Sequence, residues 1–253
     1  MRVIVIIPAA GLGTRMAGAS TGTKSGAAPK TAPSKQFIEL AGQPIIIHTL
    51  RKFASHPRVN EIYLALRKSE GENFRQRLEG QQFGKPVHIV EGGEHRQDSV
   101  CNAVKALNAN DDDIVLVHDA VRPFVDAAII SNVIDAAAKH GAAIAGVPAV
   151  DTIKQVERTA EGAVITTTVP RERAVLAQTP QGFRFALLKR AFDEATADGF
   201  TGTDEASLLE RSGEEVHVVM GSTRNIKITA PGDMELAELY IRDEKPTAAD
   251  QHR

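Results

Sequence analysis

Continuously apolar, β-branched runs alternate with helical periodicities along this chain, and no other feature constrains its fold as strongly. Residues 3–7, 62–66, 87–90, 114–118, 143–148 and 216–220 read as strands. Most of these runs do not alternate apolar with polar residues, as expected of strands covered on both faces. Between them lie helical patterns. Pro44 is suited to the first helical position, and Ile46, Thr49, Leu50 and Phe53 follow at i, i+3, i+4 and i+7. Val100, Val104 and Leu107 form a second stripe after the Gly92-Gly93 break, and residues 127–139 form a third helix closed by Gly141. Strand, helix, strand in this rhythm predicts an α/β fold, a mostly parallel sheet flanked by helices with right-handed crossovers. We read residues 1–242 as one domain and the polar stretch 243–253 as a disordered tail.

Two stretches interrupt the rhythm. Residues 17–34 are small, polar and rich in Pro and Gly, which reads as a flexible loop. In residues 151–170, two β-branched runs flank Ala160-Glu161-Gly162, a hairpin signature. A lone hairpin is too small to be stable by itself. A second subunit is the surface expected to support it.

Composition removes several classes of function. The 253 residues carry 30 Lys+Arg against 32 Asp+Glu, a formal net charge of -2, without the basic excess of a general nucleic-acid binder. The single cysteine excludes an internal disulfide framework and a CxxC-type zinc site. No run approaches the roughly 20 apolar residues of a membrane span, and the first apolar run is too short for a signal-peptide core. The expectation is a cytoplasmic protein with no membrane or nucleic-acid partner.

The chemistry gathers where strands end. The first strand runs into Pro8-Ala9-Ala10-Gly11-Leu12-Gly13-Thr14-Arg15-Met16. Small residues let backbone N–H groups approach a ligand closely and cradle phosphates. A dinucleotide fingerprint would need Gly or Ala where Met16 stands and an acid some 20 residues on, and a Walker A loop would need G-x-x-x-x-G-K-[ST]. Neither pattern is met. A glycine loop with a cation in it suits a nucleoside triphosphate. Lys35 follows Arg15 by 20 positions. Gly92 and Gly93 open a helix, and Ser99 is placed either to hydrogen-bond a ligand or to cap that helix. Asp119 ends the most apolar strand, where a carboxylate can hold a divalent ion or a ribose hydroxyl. Arg122 nearby can take a phosphate. His118 reads as a satisfied strand-end residue. Lys227 is expected on a short strand before a helix starting near Pro231. Loops after separate strands thus carry Arg15, Lys35, Asp119, Arg122 and Lys227 toward one anion-binding rim suited to phosphoryl or nucleotidyl transfer.

Eight segments run in order: PAAGLGTRM (8–16), KQF (35–37), GG-x-x-R-x-DSV (92–100), VHDA-x-RP (117–123), DTIK (151–154), TPQGF (179–183), TDEAS (203–207) and NIK (225–227). In them the chain resembles the 2-C-methyl-D-erythritol 4-phosphate cytidylyltransferase family. The resemblance implies a Rossmann-like nucleotidyltransferase fold with an inserted β-hairpin dimerisation arm at 151–171. It implies CTP and methylerythritol phosphate as substrates, Mg²⁺ as cofactor and a homodimer with arm exchange. By the same resemblance Ala9, Ala10, Gly11 and Gly13 line CTP, and Arg15, Lys35 and Lys227 contact phosphates and stabilise the transition state. Gly93, Glu94 and Ser99 lie near the cytosine. Asp119 holds the ribose, the metal or the substrate, while Arg122, Thr179 and Thr203 contact the sugar alcohol. Thr152 and Arg171, at the ends of the arm, complete the neighbouring site. Asp204 and Glu205 cap and orient their helix.

Two departures stand out. The segment between Arg15 and Lys35 is longer than the family's, and Ser34 rather than Pro precedes Lys35; Lys35 is preferred over Lys30 because it keeps the spacing to Gln36, Gly42 and Pro44. Arg224 stands where the family has a small or acidic residue. A ribitol-5-phosphate cytidylyltransferase is the nearest alternative. An NAD-dependent oxidoreductase lacks the third glycine and a catalytic set, and a non-catalytic nucleotide sensor would not need both Lys35 and Lys227.

Overall fold

The computed structural model describes residues 1–11 and 34–244. Seven strands form the main sheet: β1 (Val3–Pro8), β4 (Glu61–Leu66), β5 (Val87–Glu91), β6 (Ile114–Val117), β7 (Ala142–Pro148), β10 (Val175–Arg184) and β11 (His217–Met220). Their order is β11-β7-β10-β6-β1-β4-β5. Pairings among β6, β1, β4 and β5, and between β11 and β7, are parallel; β10 runs antiparallel to both neighbours. A 3-10 turn at Lys35–Phe37 and a short hairpin, β2 (Glu39–Leu40) and β3 (Gln43–Pro44), precede the first described α-helix.

The central apolar runs are continuous because both faces of the sheet are covered there, whereas Val218 and Met220 on the edge strand β11 are exposed. On one face Val5, Ile7, Leu64 and Leu116 pack with Ile46, Leu50 and Phe53 of α1 (Ile45–Ala54) and Ile130, Val133 and Ile134 of α4 (Ala127–His140). On the other, Ile4, Ile6, Val115 and Val117 pack with Val100 and Val104 of α3 (Arg96–Ala106) and Leu188 and Phe192 of α5 (Phe185–Ala197). Alternate residues of β1 thus serve opposite layers, and each fully buried Ile or Leu contributes roughly 1.5–3 kcal/mol. The predicted α1 stripe is buried at all four positions, though Pro44 caps the helix rather than opening it. At the end of α4, Gly141 adopts φ +95°, a left-handed turn that releases the chain into β7. The remaining helices are α2 (Lys68–Glu79), α6 (Glu205–Arg211) and α7 (Pro231–Glu244).

Three expectations change. Strand β10 carries the TPQGF segment and is absent from the expected strands; it contains Pro180 and Gly182, residues that weaken a local strand pattern. The ladder to β7 shifts register between Ala177 and Gln181, so Pro180 sits where the ladder is interrupted. Lys227 is not on a strand: residues 224–230 are irregular, held by the Ile228 N–H donating to the Val121 carbonyl at 2.9 Å. Helix α7 continues through Glu244, two residues into the stretch read as tail; its remainder lies outside the described residues, as do Gly13, Arg15 and 17–33 of the predicted loop.

The predicted hairpin is present as β8 (Ile153–Thr159) and β9 (Gly162–Val169), a separate two-stranded sheet. Its apolar side chains Val156, Val164 and Ile165 are 47%, 58% and 59% exposed. Among the described residues, no helix is long and apolar enough to cross a membrane.

Candidate active site

The parallel order puts the loops after β1, β5 and β6 at one rim of the sheet, where open α/β sheets bind ligands. The Ala9 carbonyl accepts from the Gln36 amide at 2.5 Å and the Ala10 carbonyl from Arg67 Nε at 2.6 Å, so the loop after β1 is fixed from two sides. The turn after β5 lies directly against it. A Cβ on Gly92 would stand 2.5 Å from Ala10 Cβ, so only glycine fits there. Ser99 closes the turn, its hydroxyl accepting from the Gly93 N–H at 3.0 Å and donating to the His95 carbonyl at 3.0 Å. His95, with Asp98, forms the capping box of α3.

Two adjoining cavities open here. The first, about 220 Å³, is lined by Ala9, Ala10, Gly11, Lys35, Ser99, Asp119 and Lys227. The second, about 200 Å³, is lined by Arg122, Thr179 and Thr203 with Gln178, Gln181 and Asp204. Asp119, Arg96 and Lys227 line both and form the septum between them. Ten of the predicted site residues are thereby brought together. Gly93 and the exposed Glu94 line neither cavity, although Gly93 is bonded to Ser99, which lines the first. Thr152 and Arg171 sit at the base of the hairpin, exposed and outside both cavities; Arg171 Nη1 donates to the Val150 carbonyl at 3.2 Å.

Asp119 organises the septum. Its carboxylate meets Lys227 Nζ at 2.8 Å, Arg96 Nε at 3.2 Å and Arg122 Nε at 3.5 Å. Burial alone would raise its pKa, but the charges of Arg96 and Lys227, with Arg122 behind them, hold it far below the ordinary carboxylate range. Arg96 also reaches the fully buried Glu205, Nη1 lying 2.8 Å and 3.0 Å from its two oxygens. Arg122 Nη1 donates to the Asn225 carbonyl at 2.6 Å, anchoring the irregular segment that carries Lys227. Asn225 is buried and donates to the Thr179 carbonyl at 2.8 Å. Asp204 caps α6, as expected, whereas Glu205 turns inward to Arg96. Gln97 fixes the loop before Thr203 by donating to the Phe200 carbonyl at 2.9 Å and accepting from the Gly202 N–H at 2.8 Å. Arg224 stacks on Tyr240 at 4.1 Å and pairs with Asp243.

His118 is the satisfied residue expected. The Asp119 N–H donates to the Thr179 hydroxyl at 3.1 Å, and that hydroxyl lies 3.0 Å from His118 Nδ1. His118 Nε2 lies 3.0 Å from the Arg122 carbonyl, which can only accept. One assignment satisfies all three bonds: Nε2 carries the proton and Nδ1 accepts from Thr179. Burial pushes the His118 pKa down to about 4, against the bond to Arg122 and the Asp119 charge. A base with a lowered folded-state pKa contributes stability that is present above about pH 6.5 and lost as pH falls through 4. Unfolding free energy is therefore expected to fall by about 2 kcal/mol between pH 7 and pH 5 from this residue. Denaturant titrations of the parent and His118→Gln check it; equal losses in both would remove His118 as the cause.

A mostly parallel α/β sheet whose rim joins a small-residue loop, a buried aspartate and converging cations defines the nucleotidyltransferase class. The comparisons narrow this. The family model for 2-C-methyl-D-erythritol 4-phosphate cytidylyltransferase (IspD) matches residues 3–243. The chain is 57% identical over 242 residues to the 2-C-methyl-D-erythritol 4-phosphate cytidylyltransferase of Acidobacterium capsulatum, covering 96% of this chain and 98% of the relative. It is 54% identical over 244 residues to that of Solibacter usitatus, covering 96% and 97%. Its fold is similar to the solved Francisella tularensis enzyme of that name, with a TM-score of 0.77, 33% identity and coverage of 94% and 99%. The 4-diphosphocytidyl-2C-methyl-D-erythritol synthase of Anaerococcus prevotii gives a TM-score of 0.78, 27% identity and coverage of 95% and 96%. The chain belongs to the 2-C-methyl-D-erythritol 4-phosphate cytidylyltransferase family.

Proposed function

We propose that the protein converts CTP and 2-C-methyl-D-erythritol 4-phosphate to 4-diphosphocytidyl-2-C-methyl-D-erythritol and pyrophosphate, in the cytoplasm, within non-mevalonate isoprenoid precursor synthesis. The observation that carries this reading, beside family membership, is the septum: Asp119, Arg96 and Lys227 face the small-residue loop after β1 on one side and a second cavity lined by Arg122, Thr179 and Thr203 on the other. The first cavity takes CTP, with Ala9, Ala10 and Gly11 beside it and Gly93, Glu94 and Ser99 toward the base; Gly13 keeps the CTP role that the resemblance implies. The second takes the sugar alcohol against Arg122, Thr179 and Thr203. The relatives reported above carry the methylerythritol name, which does not favour the ribitol phosphate alternative.

The chemistry needs no general base. A phosphomonoester has a second pKa near 6, so the attacking phosphate is already largely dianionic at neutral pH. His118, neutral and occupied on both nitrogens, fits that requirement. The difficulty is bringing a dianion to the α-phosphate of a polyanion. Lys35 and Lys227, together with Arg15 in the role that the resemblance implies for it, neutralise both partners and hold them in line. Asp119, the one carboxylate among the described residues that line the first cavity, is the residue that would hold a divalent ion such as Mg²⁺, which takes one or two carboxylates plus substrate phosphates. Bound there, it supplies further neutralisation of the triphosphate.

We take residues 1–242 as one domain acting as a homodimer. Val150, Val156, Val164 and Ile165 on and beside the arm are exposed, as are Leu176, Val218 and Met220 nearby in sequence or on the β11 edge strand. Exposed apolar side chains on a two-stranded arm that is too small to be stable alone suit packing against a second copy. Thr152 and Arg171 then serve the neighbour's site. Pyrophosphate release from CTP and methylerythritol phosphate tests both readings. Arg171→Ala and Lys227→Ala homodimers should each be impaired, and mixing them should restore activity, since half of the mixed dimer's sites carry neither lesion. No recovery despite demonstrated subunit exchange would contradict a shared site.

A further inference from the structure

The buried carboxylate of Glu205 has no place in the transfer chemistry above, yet it is tied directly to the septum. It is 1% exposed, heads α6 and lies 109 positions from Arg96 in sequence. Both of its oxygens meet Arg96 Nη1, at 2.8 Å and 3.0 Å, while Arg96 Nε meets Asp119 at 3.2 Å. The planar guanidinium is therefore held at two of its three nitrogens by carboxylates on separate elements, α6 and the loop after β6. Among the described residues, Nη2 meets no acceptor, and Arg96 lines both cavities.

We propose that Glu205 is a positioning residue that locks Arg96 across the septum, so that Nη2 is presented to the phosphate oxygens passing between the two cavities. The inference rests on the cytidylyl-transfer reading. Arg96 supplies a hydrogen-bond donor already oriented before substrate arrives, and Glu205 fixes its direction. A lysine cannot do this, because its single ammonium lacks the fork needed to meet two carboxylates and a phosphate together. The structure also explains why the locking acid sits on α6. That helix follows directly on Thr203, so the element reaching the second cavity is fastened to the guanidinium facing the first. Burial holds the Glu205 pKa above the usual carboxylate range, and the Arg96 charge opposes that rise only in part.

The test combines kinetics with arginine-selective ¹⁵N NMR on the full-length protein. Glu205→Gln should lower kcat about 10- to 100-fold with the KM for CTP changed less than threefold, because binding cations remain while the oriented donor is lost. In an Arg96→Ala background, Glu205→Gln should add less than a twofold further loss, since its effect runs through Arg96. Arg96→Lys, which leaves Glu205 intact and retains the charge, should also lower kcat at least tenfold and serves if Glu205→Gln does not fold. NMR reads the lock without any substrate: the Arg96 guanidinium should show hindered rotation in the parent and lose it in Glu205→Gln. Parent kcat in Glu205→Gln, full additivity with Arg96→Ala, or a freely rotating Arg96 in the parent would each overturn the proposal. A parent that turns over no methylerythritol phosphate but shows the locked guanidinium would count against the transfer reading, not the lock.

Discussion

Lys227→Ala is expected to lower pyrophosphate release from CTP and methylerythritol phosphate by about 10²- to 10³-fold, the usual loss for one preorganised charge stabiliser. The reason lies in where the ammonium stands. It is 2.8 Å from Asp119, on the irregular segment between β11 and α7, and it faces both cavities. It therefore meets charge that develops between the two substrates rather than charge belonging to either. Such an interaction is stronger in the transition state than in the ground state, so kcat should fall much further than the KM for CTP rises. Stability should change little, because the Lys227 side chain is 34% exposed and a partly solvated ion pair contributes about 1 kcal/mol at most. Steady-state kinetics and a thermal melt separate the two effects. A loss below about fivefold in kcat would remove Lys227 from the transfer step.

Asp119→Asn should be the more disruptive change, because it strikes fold and chemistry together. The side chain keeps its shape but loses the charge shared by Arg96, Arg122 and Lys227. Three cations are left around a neutral amide in a site only 9% exposed at Asp119. Removing one partner of a buried ionic cluster costs about 3–5 kcal/mol, and activity should fall at least 10²-fold because both cations of the septum lose their reference point. The pH dependence gives an internal control. Although burial works to raise it, the folded-state pKa of Asp119 lies well below the ordinary value near 4, so its contribution is present above about pH 4 and lost as pH falls below. Asp119→Asn should remove that acid-side loss, and added pyrophosphate should raise its melting temperature more than the parent's by replacing the missing negative charge. An unchanged melting temperature at pH 7 would contradict the role assigned to the carboxylate.

The sheet was largely legible because its signal is local. The run from Val3 to Ile7 has no polar residue, and only a strand between two covered faces uses such a run efficiently. Strand β10 hid because Thr179-Pro180-Gln181-Gly182 has the chemistry of a turn; what makes it a strand is pairing with β6 and β7, to which no local pattern points. The site divides in the same way. Loop residues such as Ala9, Gly11 and Asp119 announce themselves at strand ends. Lys227 is unremarkable until its segment is brought to the rim by the Ile228–Val121 and Arg122–Asn225 hydrogen bonds. Glu205 was readable as the opening residue of a helix, but its partner Arg96 lies far away in sequence, and a carboxylate's direction depends on packing rather than on spacing.

The most direct test of cytidylyl transfer is a paired measurement on the purified protein. CTP and Mg²⁺ are supplied with 2-C-methyl-D-erythritol 4-phosphate in one arm and ribitol 5-phosphate in the other, and pyrophosphate and the CDP-alcohol are quantified. Rapid release of both products only in the methylerythritol arm is the expected result. Release in the ribitol arm with none in the other would contradict the substrate assignment, and release in neither would contradict the transfer reaction itself.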